Sequence, residues 1–202
     1  MYSYILTAHN LSQRHEYGVL AREGLLIELA GIGWVARDHV QAPEQRARVI
    51  SYVHGHSIVA SHSSAYWIYT GNVIPELSRS LHLCNAQQSR SQGFPRNPYD
   101  PCDLTSLYGI TITTPERTAI DLLRSDLPSG FEALMALLRI GANYDVIVQR
   151  GNRLRYHPGI KNVRDLLCQL PADLDVIANS HSGEAQEFLQ LSEADLHPSY
   201  FL

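Results

Sequence analysis

Between Gly109 and Ser125 the chain reads GITITTPERTAIDLLRS, and this stretch restricts the possible folds more than any other. The alternation in GITIT predicts a strand. Thr114-Pro115-Glu116 then predicts an abrupt helix start. The threonine hydroxyl accepts a hydrogen bond from the first turn, proline gives up only an N–H that has no partner there, and glutamate faces the positive end of the helix. Within ERTAIDLLRS the spacing turns Ile120, Leu123 and the Thr118 methyl inward. It also sets Arg117 and Asp121 one turn apart, where they can pair as a buried structural ion pair. The stretch therefore holds a strand and a helix in direct succession, and the fold class expected for the whole chain is α+β.

The rest of the chain adds elements of both kinds. A short helix is expected to start at Thr7, and a second, SQRHEYGVLAREG, is expected to be capped by Ser12 and to bring Tyr17, Leu20 and Ala21 onto one face. LLIEL and GWVAR then read as two strands around the turn Ala30-Gly31-Ile32-Gly33. Helix, helix and ribbon is the order of a winged helix-turn-helix, here a compressed one. Pro43 opens a helix, PEQRARVISYVHGH, and SIVA follows as a strand. SHSSAYWIYTG reads as a helix capped by Ser61 or Ser63, ended by Gly71 and exposing Trp67 and Tyr69 on different faces. RSLHLCN alternates as a strand, and the polar, proline-bearing run from Ala86 to Pro101 reads as a long loop. After FEALMALLRIGA, three short helices are expected: YDVIVQR, NVRDLLCQL and GEAQEFLQLSEADL. The resulting division is residues 1–40, a winged helix-turn-helix; 41–142, a mixed α/β domain; and 143–202, a helical extension.

At 202 residues the chain is long enough to bury a real core, and 45% hydrophobic with 18% charged residues excludes a fibre or wholesale disorder. No apolar run is long enough for a membrane span and MYSYILTAHN does not resemble a signal peptide, so a cytoplasmic protein is expected. Cys84, Cys102 and Cys168 are far apart and read as reduced and structural. The net charge of −4 hides an uneven distribution. Arg150, Arg153, Arg155, Lys161 and Arg164 form a basic stretch free of acids, a secondary patch suited to DNA phosphate or an acidic partner. Beyond Asp165 the chain carries acids and no Lys or Arg, so the tail could fold over that stretch.

Two signatures carry a resemblance. The first is Ser61, His62, Ser63, Ser64, Ala65 and Gly71; the second is Gly109-Ile110, Thr113-Thr114-Pro115, Arg117-Thr118 and Asp121-Leu122. Together, and most strongly from Val59 to Leu138, they make the chain resemble AbiEi-type antitoxins and the related actinobacterial regulators. The resemblance implies a winged helix joined to an α/β antitoxin-like body and a transcriptional regulator that binds double-stranded operator DNA. It also implies that a nucleotidyltransferase-like toxin is a partner, and a homodimer is a further expectation. Many relatives continue into a very-short-patch-repair-like endonuclease domain. Glu184 stands where that domain begins, and too few residues follow to supply its carboxylates and lysine, so a shortened, non-enzymatic member is expected.

If the N-terminal module reads DNA, its recognition helix begins at Ser12. Ser12, Gln13, Arg14, His15, Tyr17, Arg22 and Arg37 are then the candidate contacts. The charge there is unfavourable: Arg14, Arg22 and Arg37 face Glu16, Glu23, Glu28 and Asp38 within residues 1–40, a net of about −1, and DNA affinity rests largely on neutralised phosphates. Two alternatives are therefore kept: a protein-interaction module that sequesters a toxin without binding DNA, and a degenerate nuclease-linked defence protein. His54, His56 and His62 lie close in sequence, yet neither a Cys nor a carboxylate completes a metal site, and His62 reads as a tie between the SHSSA helix and a neighbouring strand. Ser, His and Asp are plentiful without a nucleophile elbow, and no glycine-rich loop follows a strand to cradle phosphate. No metal, cofactor or catalytic group is expected, and His62, Ser63, Thr114, Arg117 and Asp121 are assigned to structure.

Overall fold

The computed structural model describes residues 5–29, 33–72, 80–83, 98–171 and 174. Its architecture is mixed α+β: seven α-helices, a two-stranded ribbon and a four-stranded sheet among the described residues.

The chain enters through Leu6, which bridges Trp34, with Leu6 N donating to the Trp34 carbonyl at 2.8 Å and Trp34 N to the Leu6 carbonyl at 2.9 Å. No helix starts at Thr7. Pairing with the ribbon consumes the backbone groups of Leu6, and the chain then bends into α1 (Leu11–Arg22). The cap of α1 is Asn10, not Ser12: Asn10 Oδ1 accepts from Gln13 N at 2.8 Å, so the helix starts two residues earlier than the serine predicts. One helix, rather than two, precedes the ribbon among the described residues. The ribbon is β1 (Leu26–Leu29) and β2 (Gly33–Ala36), antiparallel with Leu26 opposite Ala36 and Leu29 opposite Gly33. Gly33 is obligatory: a Cβ there would lie 2.4 Å from the Leu6 carbonyl oxygen, so only glycine admits the incoming chain.

A 3-10 turn (Arg37–Val40) leads to α2 (Pro43–His54), β3 (Ile58–Ala60), α3 (His62–Thr70) and β4 (Leu81–Leu83). A second 3-10 turn (Pro101–Asp103) opens β5 (Leu104–Leu107), followed by β6 (Ile110–Thr113) and α4 (Pro115–Ser125). The sheet order is β4-β3-β6-β5, with β3 and β6 parallel at its centre and the outer pairs antiparallel. β5 is absent from the sequence reading. Leu107 faces Ile110 across Tyr108 and Gly109, whose φ values of 49° and 84° make a tight two-residue hairpin turn. The expected start of α4 is present: Arg117 N donates to Thr114 Oγ1 at 3.3 Å.

α5 (Leu127–Arg139), α6 (Tyr144–Arg153) and α7 (Ile160–Gln169) complete the fold. Two of the three short helices expected after Gly141 are thus observed; the third, with the polar run from Ala86 to Arg96, the turn at 30–32 and the acidic tail, lies outside the described residues.

Two apolar cores result. The first joins Ile5, Leu29 and Val35 of the N-terminal region to Ala47 and Ile50 of α2, Trp67 and Ile68 of α3, and Ile58, Ala60, Ile110 and Ile112 of the sheet. The second gathers Ile120 and Leu123 of α4, Leu134 and Leu137 of α5, Ile147 of α6 and Val163 of α7 around Tyr66 of α3. Because α3 lies between the two, Trp67 is buried rather than exposed, at 1% of its surface, and Tyr69 is half-buried, donating from its hydroxyl to the Thr113 carbonyl at 2.9 Å. No helix among the described residues is long and apolar enough to cross a membrane.

Candidate nucleic-acid interface and a buried ion network

α1 contains no fully buried residue; its second half, from Tyr17 to Ala21, is half-buried, and its first turns are the more exposed part. The seven sequence candidates divide on that basis. Ser12, Arg14 and His15 are exposed on the first turns of α1. Gln13 is committed locally: its Oε1 accepts from His9 N at 2.9 Å while its own N–H caps on Asn10, a reciprocal arrangement that fixes the helix start. Tyr17 turns towards the ribbon, its ring 5.4 Å from that of Trp34. Arg22 and Arg37 are exposed but serve the end of α1, Arg22 Nε donating to the Gly18 carbonyl at 3.3 Å and Arg37 Nε to that of Gly24 at 2.6 Å. Arg14 also lines an open pocket of about 350 Å³ between α1 and the ribbon, together with Thr7, Ala8, Glu28, Leu29, Gly33 and Trp34.

The residues of the two signature motifs converge on a buried polar network instead. Arg117, 4% exposed, donates from Nε to both oxygens of Asp121 at 3.1 and 3.2 Å and from Nη1 to Asp103 at 2.6 Å. Arg124 reaches Asp121 at 3.2 Å, and Arg150 reaches the other oxygen of Asp103. Three arginines thus share two carboxylates, and the Tyr99 ring lies under the Arg117 guanidinium at 4.7 Å. Burial works against the charge on Arg117, but Asp121 and Asp103 more than compensate and hold it more firmly protonated than usual.

Ser61 joins this network to the sheet. Its backbone N–H and hydroxyl both donate to the Ser80 carbonyl, at 2.8 and 3.1 Å, and its Oγ lies 3.0 Å from His82 Nε2 on β4 and 2.9 Å from His62 Nδ1. The strand tie expected of His62 is therefore made by Ser61 and His82. His62 itself adds Tyr99, whose hydroxyl is 3.3 Å from Nδ1. Ser61 stands at the N-cap position of α3 without capping it, because its hydroxyl is spent on the sheet, and Ser63 is half-buried in the first turn. Ser64 bonds to Ser80 through their hydroxyls at 2.6 Å. Burial is the largest influence on His62 and lowers its pKa; Asp121 opposes this, while Arg124 and Arg117 add to it. The Tyr99 phenol is pushed up, by burial first and by Asp121 second. The His62 imidazole thus bonds to the Ser61 and Tyr99 hydroxyls, and the Tyr99 ring lies against the paired Arg117, which links the start of α3 to α4.

Asp103, Tyr99 and His82 are the partners the sequence reading missed. Arg150 is a correction: it belongs to this network and not to a solvated basic stretch, since it points inward to Asp103 from the last turn of α6. Arg153, Arg155 and Lys161 remain exposed at the junction of α6 and α7, and Arg164 Nε bonds to Asn152 Oδ1 at 3.0 Å. His54, His56 and His62 occupy three places: the end of α2, the chain before β3, where His56 Nδ1 meets the Gly109 carbonyl at 2.9 Å, and the start of α3. Among the described residues no group of three His, Cys, Asp or Glu side chains is placed to hold a metal ion.

Comparison with protein-family models, with curated proteins and with solved structures finds no match to this chain.

Proposed function

We propose that the chain is a DNA-binding transcriptional regulator of the winged-helix kind, related in function to the antitoxins of type IV toxin-antitoxin systems. In this reading α1 enters the major groove of operator DNA, the ribbon β1–β2 acts as the wing and the body behind them is a scaffold. The observation that carries it is the freedom of Ser12, Arg14 and His15 on a helix with no buried residue, beside a two-stranded ribbon. Side chains near the start of a helix suit base-edge and phosphate contact. The acidic balance of residues 1–40 makes one copy a weak binder, and a homodimer with two such helices doubles the phosphate contacts.

Gel-shift titration of duplexes from the chain's own promoter region tests this reading. Arg14→Ala weakens binding and lowers the slope of log affinity against log salt by about one if Arg14 meets a phosphate. Unchanged affinity removes α1 as the reader.

A second reading is favoured by a different observation. Leu11, at the start of α1, is 86% exposed, and Leu25, beyond its end and just before β1, is 58% exposed, an apolar display that DNA does not use. Here the N-terminal region docks a protein partner such as a nucleotidyltransferase-like toxin and does not bind DNA. In this reading the chain gives no promoter gel shift, and Leu11→Asp abolishes co-purification with the product of the neighbouring gene.

A further inference from the structure

The junction of α6 and α7 is a fixed turn carrying an exposed aromatic ring and exposed cations. Leu154 is buried beneath it, and His157 N donates to the Leu154 carbonyl at 2.8 Å. Arg124 Nε from α4 holds the Pro158 carbonyl at 3.0 Å, and Gly159 supplies the left-handed residue, φ 78°, that starts α7. On this platform Tyr156 is 84% exposed, with the Arg155 guanidinium 4.8 Å from its ring centroid. Arg153, Arg155 and Lys161 are exposed and make no ion pair among the described residues, Lys161 with Asp165 one turn along α7 included. Leaving a tyrosine ring in water gains nothing for the fold, and the turn is held from below without it.

We propose that Tyr156, Arg155, Arg153 and Lys161 form a binding site for single-stranded nucleic acid, separate from the duplex interface proposed for α1. Arg155 occupies one face of the tyrosine ring and leaves the other open for a base. A base offers its flat face only when it is unpaired, because in a duplex the grooves expose edges alone. Arg155 against the ring, with Arg153 at the end of α6 and Lys161 at the start of α7, supplies the positive charge that the phosphates beside such a base require. Stacking of this kind tolerates any base, so the site selects strandedness and not sequence.

The test is fluorescence anisotropy of the full chain with labelled oligothymidine, oligouridine and a duplex of equal length, at two salt concentrations, with poly-glutamate as a competitor. The proposal expects salt-dependent binding of both single strands, with the tighter of the two identifying DNA or RNA as the source. Tyr156→Ala weakens that binding about tenfold or more, as expected for loss of one stacked base. Tyr156→Phe retains it, and Arg14→Ala does not affect it. Replacing Arg153, Arg155 and Lys161 by Gln lowers the salt slope by about two. The side chain of Tyr156 is almost wholly exposed, so circular dichroism of the Ala variant matches the parent. No binding to either single strand overturns the proposal, as does unchanged affinity in Tyr156→Ala. An equal loss on duplex and single strands overturns it in favour of a duplex site. Poly-glutamate competing as well as an oligonucleotide, with no effect of Tyr156→Ala, assigns the patch to acidic peptides and also overturns it.

Discussion

Arg117 stands between Asp103 and Asp121 with almost no exposure, so removing it strands two buried carboxylates at once. Arg124 and Arg150 still reach one carboxylate each, yet neither replaces the central guanidinium. Arg117→Ala is expected to cost about 3–5 kcal/mol, the usual penalty for breaking a buried pair from one side, measured as the shift of the urea midpoint. Asp121→Asn, which keeps the shape and loses the charge, is expected to cost less. Acid acts on the same region. Burial holds the pKa values of His62 and His54 below their ordinary 6.5, so the folded state binds fewer protons there than the unfolded chain does. Their contribution to stability is complete above about pH 6.5 and is lost as pH falls below it, which urea titrations from pH 7.5 down to about pH 5 would register as a falling midpoint. The Arg117–Asp121 pair was legible in sequence because four residues is one helical turn. Asp103 and Arg150 were not, because they are 47 residues apart and only the close packing of α4 on its neighbours brings them together. The DNA candidates were legible as residue types, but not as free or committed side chains: Gln13 and Tyr17 are drawn away by a helix cap and a tryptophan whose positions depend on the fold.

Among the elements, α4 and α5 pack more closely than side chains permit. At Gly130 a Cβ would lie 2.6 Å from Leu123 Cα and 2.7 Å from Leu123 N, atoms that move only if the whole helix moves. Gly130→Ala would raise helix propensity in an isolated peptide, but here it is expected to lower the thermal midpoint by several degrees, corresponding to about 1–3 kcal/mol of overpacking. A Gly18→Ala change in α1, where nothing lies within 4 Å of the added carbon, is the control and raises the midpoint slightly. Elements with strong local signals, such as the Thr114 cap and the Pro43 helix start, were legible in sequence because the residues that make them are adjacent. β5 was missed because LTSL is short and only half-buried, so it lacks an apolar face, and the Tyr108-Gly109 turn that creates it has a tyrosine in a conformation glycine or asparagine more often occupies.

At the scale of the molecule, α3 belongs to both cores, giving Tyr66 to one and Trp67 and Ile68 to the other. Neither core closes without it. Urea unfolding is therefore expected as a single transition, with tryptophan fluorescence, which reports Trp34 in the ribbon and Trp67 in α3, coinciding with far-UV circular dichroism, which weights the helices of the second core. Two separated transitions would show that the ribbon or the helical half folds independently. This sharing also explains why α3 was misjudged in sequence: the five successive residues from Ser64 to Ile68 are all buried, more than a full turn, so the middle of the helix has no solvent face although its sequence includes serines.

The central strands β3 and β6 pair in parallel through Val59 with Thr111 and Ala60 with Ile112, so about fifty residues must be made after β3 before its partner exists. A ribosome adding about 5–20 residues per second leaves Ile58, Val59 and Ala60 without that neighbour for several seconds, while β4 arrives earlier and covers one edge only. Nascent chains halted before residue 110 thus carry an adhesive, wholly apolar strand edge. For this protein the interval between synthesis of β3 and synthesis of β6 is when chaperones matter most.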